Sequence, residues 1–362
     1  VEAGYGVQWV LIAARPPRQL KVAYVEPGSA AAGKIDRGAD VQKIDGEPLL
    51  DGDPAKLNAG LFPASIGETH TFEFKDVAGA THSVPLTSVN VTHQPVQNVG
   101  TVASGVGYML FNDHLATAEK ALIDAVTTLQ AKGITDLVLD IRYNGGGYLA
   151  IASQLAYMIA GPGPTASKFF EQTQFNDKYR TTDPYSGKPL APTPFYKTSV
   201  GLSVNQGQPL PHLDLPRVFV LTGHSTCSAS ESVINGLRGV DVQVIEIGGT
   251  TCGKPYGFVP QDNCGTTYFT IQFQGVNAKG FGDYPDGFEP AGTTTAGVPG
   301  CKVADDFNHA LGDPNEARLA AALQYRTSQT CPPVSASIAS ALTVPGGEGE
   351  ALRNIWRENR WQ

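Results

Sequence analysis

The chain has 362 residues, 41% of them hydrophobic and 17% charged, and a formal net charge of -8. That length suits two domains better than one. The acidic balance argues against nucleic acid or an anionic membrane surface as partner, because both select a basic face. No apolar run approaches the roughly 18 residues of a bilayer-spanning helix. Gly 41 and Pro 26 favour many turns and short strands over a helical bundle. Val1 is not an initiator and no signal peptide is visible, so the chain reads as a processed or partial form. Seven histidines are scattered without an HExxH pair, and five cysteines form no CxxC, so no metal or other cofactor is expected.

Residues 4–90 carry short alternating or apolar runs between turn signals: 7-VQWVLI-12, 20-LKVAYV-25, 39-ADVQKIDG-46, 69-THTFEF-74 and 82-HSVPLT-87. This pattern predicts a small β-rich domain over 1–92, with a turn and a short helix-like segment within 26-EPGSAAAGKIDRG-38. Together 4-GYGV-7, the 25–49 stretch and the later strand pair resemble a PDZ domain. The resemblance implies an exposed strand edge that adds an extended peptide, with Tyr5, Gly6 and Val7 forming the loop that holds its carboxylate.

Beyond a polar connector at 88–98 the texture changes. The run 105-GVGYMLF-111 predicts a strand and 114-HLATAEKALIDAVTTLQAKG-133 an amphipathic helix closed by Gly133. Next come strand 136-DLVLDIR-142, turn 144-NGGG-147, helix 148-YLAIASQLAYMIAG-161, strand 217-RVFVLTG-223, helix 229-ASESVINGLRG-239 and strand 241-DVQVIEIGG-249. Strands alternating with helices predict an α/β core with a mainly parallel sheet over 93–342. The Pro- and Gly-rich stretch 162–214 reads as an insertion near a functional site. A last helix is predicted over 315–327, and 343–362 reads as a Gly/Glu-rich, then charged, tail.

The chemistry concentrates in 224-HSTCSASES-232. Serines at a strand-to-helix junction cap the helix, and Ser228 with Glu231 has capping-box spacing. A second reading, the GxSxG elbow of an α/β-hydrolase, would use Ser225, but 223-GHSTC-227 has a cysteine where the second glycine belongs. Further along, strand 241–249 ends in 250-TTCGKPYG-257, which sets Lys254 on a turn at the same kind of strand end as Ser228. Neighbouring parallel strands bring such ends together, where α/β sites lie. Desolvation there favours the neutral amine that can take a proton from a serine hydroxyl. The third piece, 144-NGGG-147, exposes consecutive backbone N–H groups at a helix N-terminus, suited to an anion or a developing oxyanion. Neither phosphate-loop pattern, GxxxxGK[ST] or GxGxxG opening a βαβ unit, is present.

In this order, 138-VLDIRYNGGG-147, 228-SASE-231, 246-EIGGTTCGKPYG-257 and 312-GDPNEARLAAAL-323 behind a PDZ-like domain resemble the C-terminal processing (tail-specific) proteases, serine peptidase family S41. The resemblance spans most of 1–325. It implies a ClpP/crotonase-like core and an endopeptidase with Ser228 as nucleophile and Lys254 as general base, using no metal or organic cofactor. The N–H groups of Ala229 and of Gly145 or Gly146 would form the oxyanion hole. Glu231 would cap or orient the helix, and Asp140 and Arg142 would brace the core. Partners would be proteins or peptides with accessible C-termini. One departure is Phe258, where many members carry a glutamine that orients the lysine; Gln261 or Glu231 are candidates for that role. The rival from another class is a catalytically silent peptide receptor on the same scaffold. The resemblance favours the periplasm or the cell exterior, where Cys252–Cys264 and Cys301–Cys331 would pair as disulfides and Cys227 would be left over; five reduced thiols are the alternative.

Overall fold

The computed structural model describes residues 2–333 and 349–352. Most of the tail predicted over 343–362 therefore lies outside the described residues. The chain divides into two compact units, Val1–Gln94 with Val303–Ala320 and the 349–352 segment in one, Pro95–Lys302 with Ala321–Pro333 in the other. No helix among the described residues is long and apolar enough to cross a membrane.

The first unit is built on an antiparallel sheet in the order Glu350–Leu352, Val7–Ala13, Gln19–Val25, Asp40–Ile44, Thr69–Lys75, Thr81–Thr87. Alternation sets its inner face. In 69-THTFEFK-75 the buried positions are Phe72 and Phe74, two apart, as a half-buried strand requires. Their rings stack with Trp9, at centroid distances of 5.6 and 6.3 Å, over Leu20, Val22 and Ile44. The helix-like segment expected after residue 26 is instead a run of turns, because Gly28, Gly33 and Gly38 all have positive φ and interrupt any helix. A helix forms later, over Pro54–Leu61. Asp53 caps it by accepting from Ala55 N–H at 2.8 Å, and Pro54 occupies the first turn, where its missing N–H costs nothing.

The second unit holds a six-stranded sheet in the order Gly300–Lys302, Gln243–Gly248, Arg217–Thr222, Asp136–Asp140, Val106–Phe111, Val96–Ala103. Only the last pairing is antiparallel. Every residue of Val106–Phe111 and of Asp136–Asp140 is buried, which explains why these strands read as continuous runs rather than alternations. Helices Ala118–Ala131, Leu149–Ala160 and Ala229–Gly239 complete a mixed α/β fold with several sheets. Leu149–Ala160 is buried from Ile151 to Ala160, so it is a core helix rather than an amphipathic one.

The 162–214 stretch is fastened to this core at several places, among them Ser153 Oγ, which donates to the Pro194 carbonyl. Its strand Phe169–Gln174 pairs with Phe273–Val276. Glu119, wholly buried on its helix, accepts backbone N–H bonds from Val200, Gly201, Leu202, Ser203 and Val204 at 2.7–3.3 Å. Burial pushes this carboxyl up, but the N–H groups and the Gln154 amide outweigh it and hold it below the usual glutamate value. Cys301 and Cys331 are joined, tying the strand Gly300–Lys302 to the segment beyond helix Ala317–Ser328.

Candidate active site

Strand Arg217–Thr222 and its parallel neighbour Gln243–Gly248 end side by side, and each end continues into a turn carrying one of the two residues singled out in the sequence. The serine turn is tied down at almost every step. Thr226 Oγ1 accepts from Gly223 N–H and donates to the Ile141 carbonyl. Cys227 N–H and Ser230 Oγ both donate to the Asn144 carbonyl, at 3.1 and 3.0 Å. Between them Ser228 is held at φ 58° and ψ -119°, and helix Ala229–Gly239 starts at the next residue. A non-glycine residue in this region persists only when its surroundings over-determine it. The sharp strand-to-helix turn that an elbow motif would have set at Ser225 is thus found at Ser228.

The glycine loop closes over that turn. Asn144 Oδ1 accepts the Gly146 N–H at 3.0 Å and also meets His114 Nδ1, while Asn144 Nδ2 donates to the Phe111 carbonyl. Gly146 stands at φ +94°, and a Cβ there would lie 2.7 Å from the Cys227 carbonyl oxygen, 2.8 Å from Ala229 N and 2.9 Å from Ser228 Cβ. The backbone of this loop therefore packs directly on Ser228 and Ala229, closer than any side chain permits. Asn144 was not singled out in the sequence; its place at the head of 144-NGGG-147 was the available signal.

The lysine turn is anchored through one carboxylate. Glu231, on the first turn of the serine helix, is fully buried. Its Oε2 accepts the Ser228 N–H and the Lys254 N–H, both at 2.9 Å, and its Oε1 accepts Gly253 N–H at 2.8 Å and Thr251 Oγ1 at 2.6 Å. A single side chain thus bonds the backbone of both turns. Burial pushes its carboxyl above the ordinary glutamate value, against the pull of these four donors. Behind it Glu246, also fully buried, accepts from Thr222 Oγ1 and is pushed by burial up to about 8. Lys254 itself differs from the expectation of a desolvated amine: its side chain is exposed, with Nζ 5.6 Å from the centre of the Phe258 ring. Gln261 lies exposed in the outer hairpin Gln261–Asn263/Thr266–Tyr268.

One disulfide pairing is corrected. Cys252 bonds Cys227 rather than Cys264, with Cα atoms 5.2 Å apart. Sequence proximity suggested the other partner, but Cys264 sits exposed with Gly265 in the two-residue tip of the outer hairpin, both at positive φ. Cys227 and Cys252 lie where adjacent strand ends meet, and Cys252 N–H donates to the Thr226 carbonyl at 3.0 Å. The bond joins the residue before Ser228 to the residue two before Lys254. Cys227, Glu231 and Cys252 bring ligand-type atoms within 4.8 Å of one another, but the two sulfurs are bonded to each other. Asp140 and Arg142 form a buried bidentate pair, at 3.0 and 2.9 Å, that Tyr108 OH joins at 2.7 Å.

In the first unit, the loop at Tyr5, Gly6 and Val7 is held by the Gly6 carbonyl, which accepts Glu26 N–H, and by the Tyr5 carbonyl, which accepts Ala31 N–H. Tyr5 OH donates to the Gly60 carbonyl of the helix Pro54–Leu61 at 2.9 Å. This loop borders a groove whose walls include Val7, Trp9, Leu61, Phe62 and Leu352.

Residues 105–262 match the model of peptidase family S41. A solved structure from Bacteroides fragilis NCTC 9343, assigned to the S41 proteases, shares the fold at a TM-score of 0.66 and 24% identity, over 91% of this chain and 84% of that one. The photosystem II D1 C-terminal processing protease gives a TM-score of 0.47 at 18% identity, covering 80% of this chain and 71% of its own. No curated protein sequence matches the chain.

Proposed function

We propose that the chain is a serine endopeptidase acting through Ser228 and Lys254 on a ClpP/crotonase-like core. The observation that carries this reading is the Glu231 carboxylate, which hydrogen-bonds the backbone of both residues at 2.9 Å while Ser228 is held at a strained, positive φ. In the proposed sequence, Lys254 Nζ takes the proton of Ser228 Oγ as the oxygen bonds the peptide carbonyl carbon. The C–N bond then breaks, the amine departs with the proton returned by Lys254, and water hydrolyses the ester with Lys254 again as base. Ala229 N–H and a loop N–H would hold the oxyanion. Gly145 suits that role better than Gly146, whose N–H already serves Asn144 Oδ1. The exposure of Lys254 means that a substrate lying across the turn would supply the desolvation the base needs.

The first unit, on this reading, is a PDZ-like module that captures extended peptide ends beside Tyr5, Gly6 and Val7. Two disulfides fit an extracytoplasmic setting, periplasmic or secreted. Turnover of casein by wild type, Ser228→Ala and Lys254→Ala is the test. Each substitution is expected to lower cleavage by roughly 10³-fold or more. Unchanged cleavage in both variants would overturn the dyad. Peptide binding without any wild-type cleavage would favour a silent receptor.

A further inference from the structure

The edge of the first unit's sheet that borders the groove is already paired. Glu350–Leu352 runs antiparallel to Val7–Ala13, with Leu352 opposite Trp9, Ala351 opposite Val10 and Glu350 opposite Leu11. Its direction therefore leads toward Gly6. Ala351 is buried, Leu352 packs on the first unit's core, and Gln8 Nε2 donates to the Leu352 carbonyl at 3.0 Å. Gly349 approaches so closely that a Cβ would lie 2.7 Å from Val10 Cγ1 and Ile12 Cδ1. Leu352 then forms part of the groove wall with Leu61 and Phe62.

We propose that Glu350–Leu352 is the resting, intramolecular occupant of the peptide groove, so that an extended peptide partner binds only by displacing it. The proposal rests on the reading of the groove as a peptide site. An added strand gains main-chain hydrogen bonds from the edge and specificity from alternate side chains; here Leu352 is the apolar anchor. A segment on the same chain competes at an effective concentration of roughly millimolar. The strand is only three residues long, too short to be stable apart from the edge it pairs with, and so is suited to exchange. A partner's apparent affinity falls by the fraction of molecules whose groove is open.

A fluorescein-labelled peptide of sequence GGEGEAL, which repeats residues 346–352, tests the idea by anisotropy titration. Wild type is compared with Leu352→Glu and with a chain ending at Pro345. Both variants are expected to bind the peptide at least about 10-fold more tightly than wild type. Equal affinity in all three would overturn self-occupancy while leaving the groove a peptide site. No binding to any of them would overturn the groove reading as well. Hydrogen exchange on wild type alone guards against misfolded variants. With excess peptide, the amides of 350–352 should lose protection while those of Val7–Ala13 keep it; protection retained at 350–352 counts against the proposal.

Discussion

The serine turn and the lysine turn leave neighbouring parallel strands, yet they are finished differently. Around Ser228 the backbone is bonded to the Ile141 and Asn144 carbonyls, the glycine loop lies within van der Waals contact, and the residue itself is strained. Around Lys254 the backbone is fixed as firmly, by Glu231 and by the Cys227–Cys252 bond, but the side chain is exposed. The chain beyond it runs into an outer segment where Tyr268, Phe269 and Ile271 are exposed. The strand ends and Glu231 thus set where the two residues stand, while the surroundings of the amine are left to whatever covers the turn. On the proposed mechanism the nucleophile is preorganised and the base is completed by substrate.

The largest effect is expected at the glycine loop. Gly146→Ala drives a methyl group toward the Cys227 carbonyl oxygen and Ala229 N at a position already in left-handed backbone. The loop must lift from the serine turn. Casein cleavage is expected to fall by roughly 10²–10³-fold, the cost of a lost oxyanion donor, with kcat bearing the loss. Retention of wild-type kcat would show that the loop takes no part in the reaction.

Next in size is Glu231→Gln, which acts on both turns at once. The amide replaces one acceptor oxygen by a donor that then faces backbone N–H groups. A loss of about 10–100-fold in kcat is expected, with KM nearly constant, since the substituted group touches the two turns and not the substrate. If KM rises and kcat holds, Glu231 shapes the substrate site instead of positioning the pair.

Much of this was legible in the sequence for a physical reason. The parallel strands are continuous apolar runs, and the glycines at 145–147 and the serine-rich junction each occupy a strand end, so topology alone brought them together. Helix Ala229–Gly239 has the limits that the sequence predicted: Ser228 with Glu231 at the third position marks its start and Gly239 its end. The disulfide partner was not legible: Cys227 and Cys252 are 25 positions apart and meet only through strand pairing, while Cys264 is near in sequence and far out on a hairpin tip. The clamp of Glu119 on 200–204 was equally hidden, since one glutamate on a predicted amphipathic helix reads as solvated. The strand at 350–352 was missed because three residues carry no periodicity.

The smallest effect on cleavage is expected at Glu246, on the strand that leads to Lys254 and bonded to Thr222 of the serine strand, and it separates the stability of the strand pair from its chemistry. Burial raises this carboxyl to about 8, with the Thr222 hydroxyl and Arg238 opposing and the charge of Glu231 adding to the rise. An acid whose folded value lies above its unfolded one, near 4.3, keeps its proton in the folded state over a range where the unfolded chain has released it. Stability from this group is therefore greatest at low pH and declines as pH rises from about 4.3 toward about 8. Glu246→Gln keeps the shape and removes the titration. Its Tm should change less between pH 5 and pH 8 than that of wild type, and it should exceed wild type at pH 8, with casein cleavage at pH 7 altered by no more than about 2-fold. Parallel Tm profiles for the two proteins would mean that Glu246 does not carry the proton that its buried position demands. A large loss of cleavage would mean that the strand leading to Lys254 is part of the reacting site and not only its support.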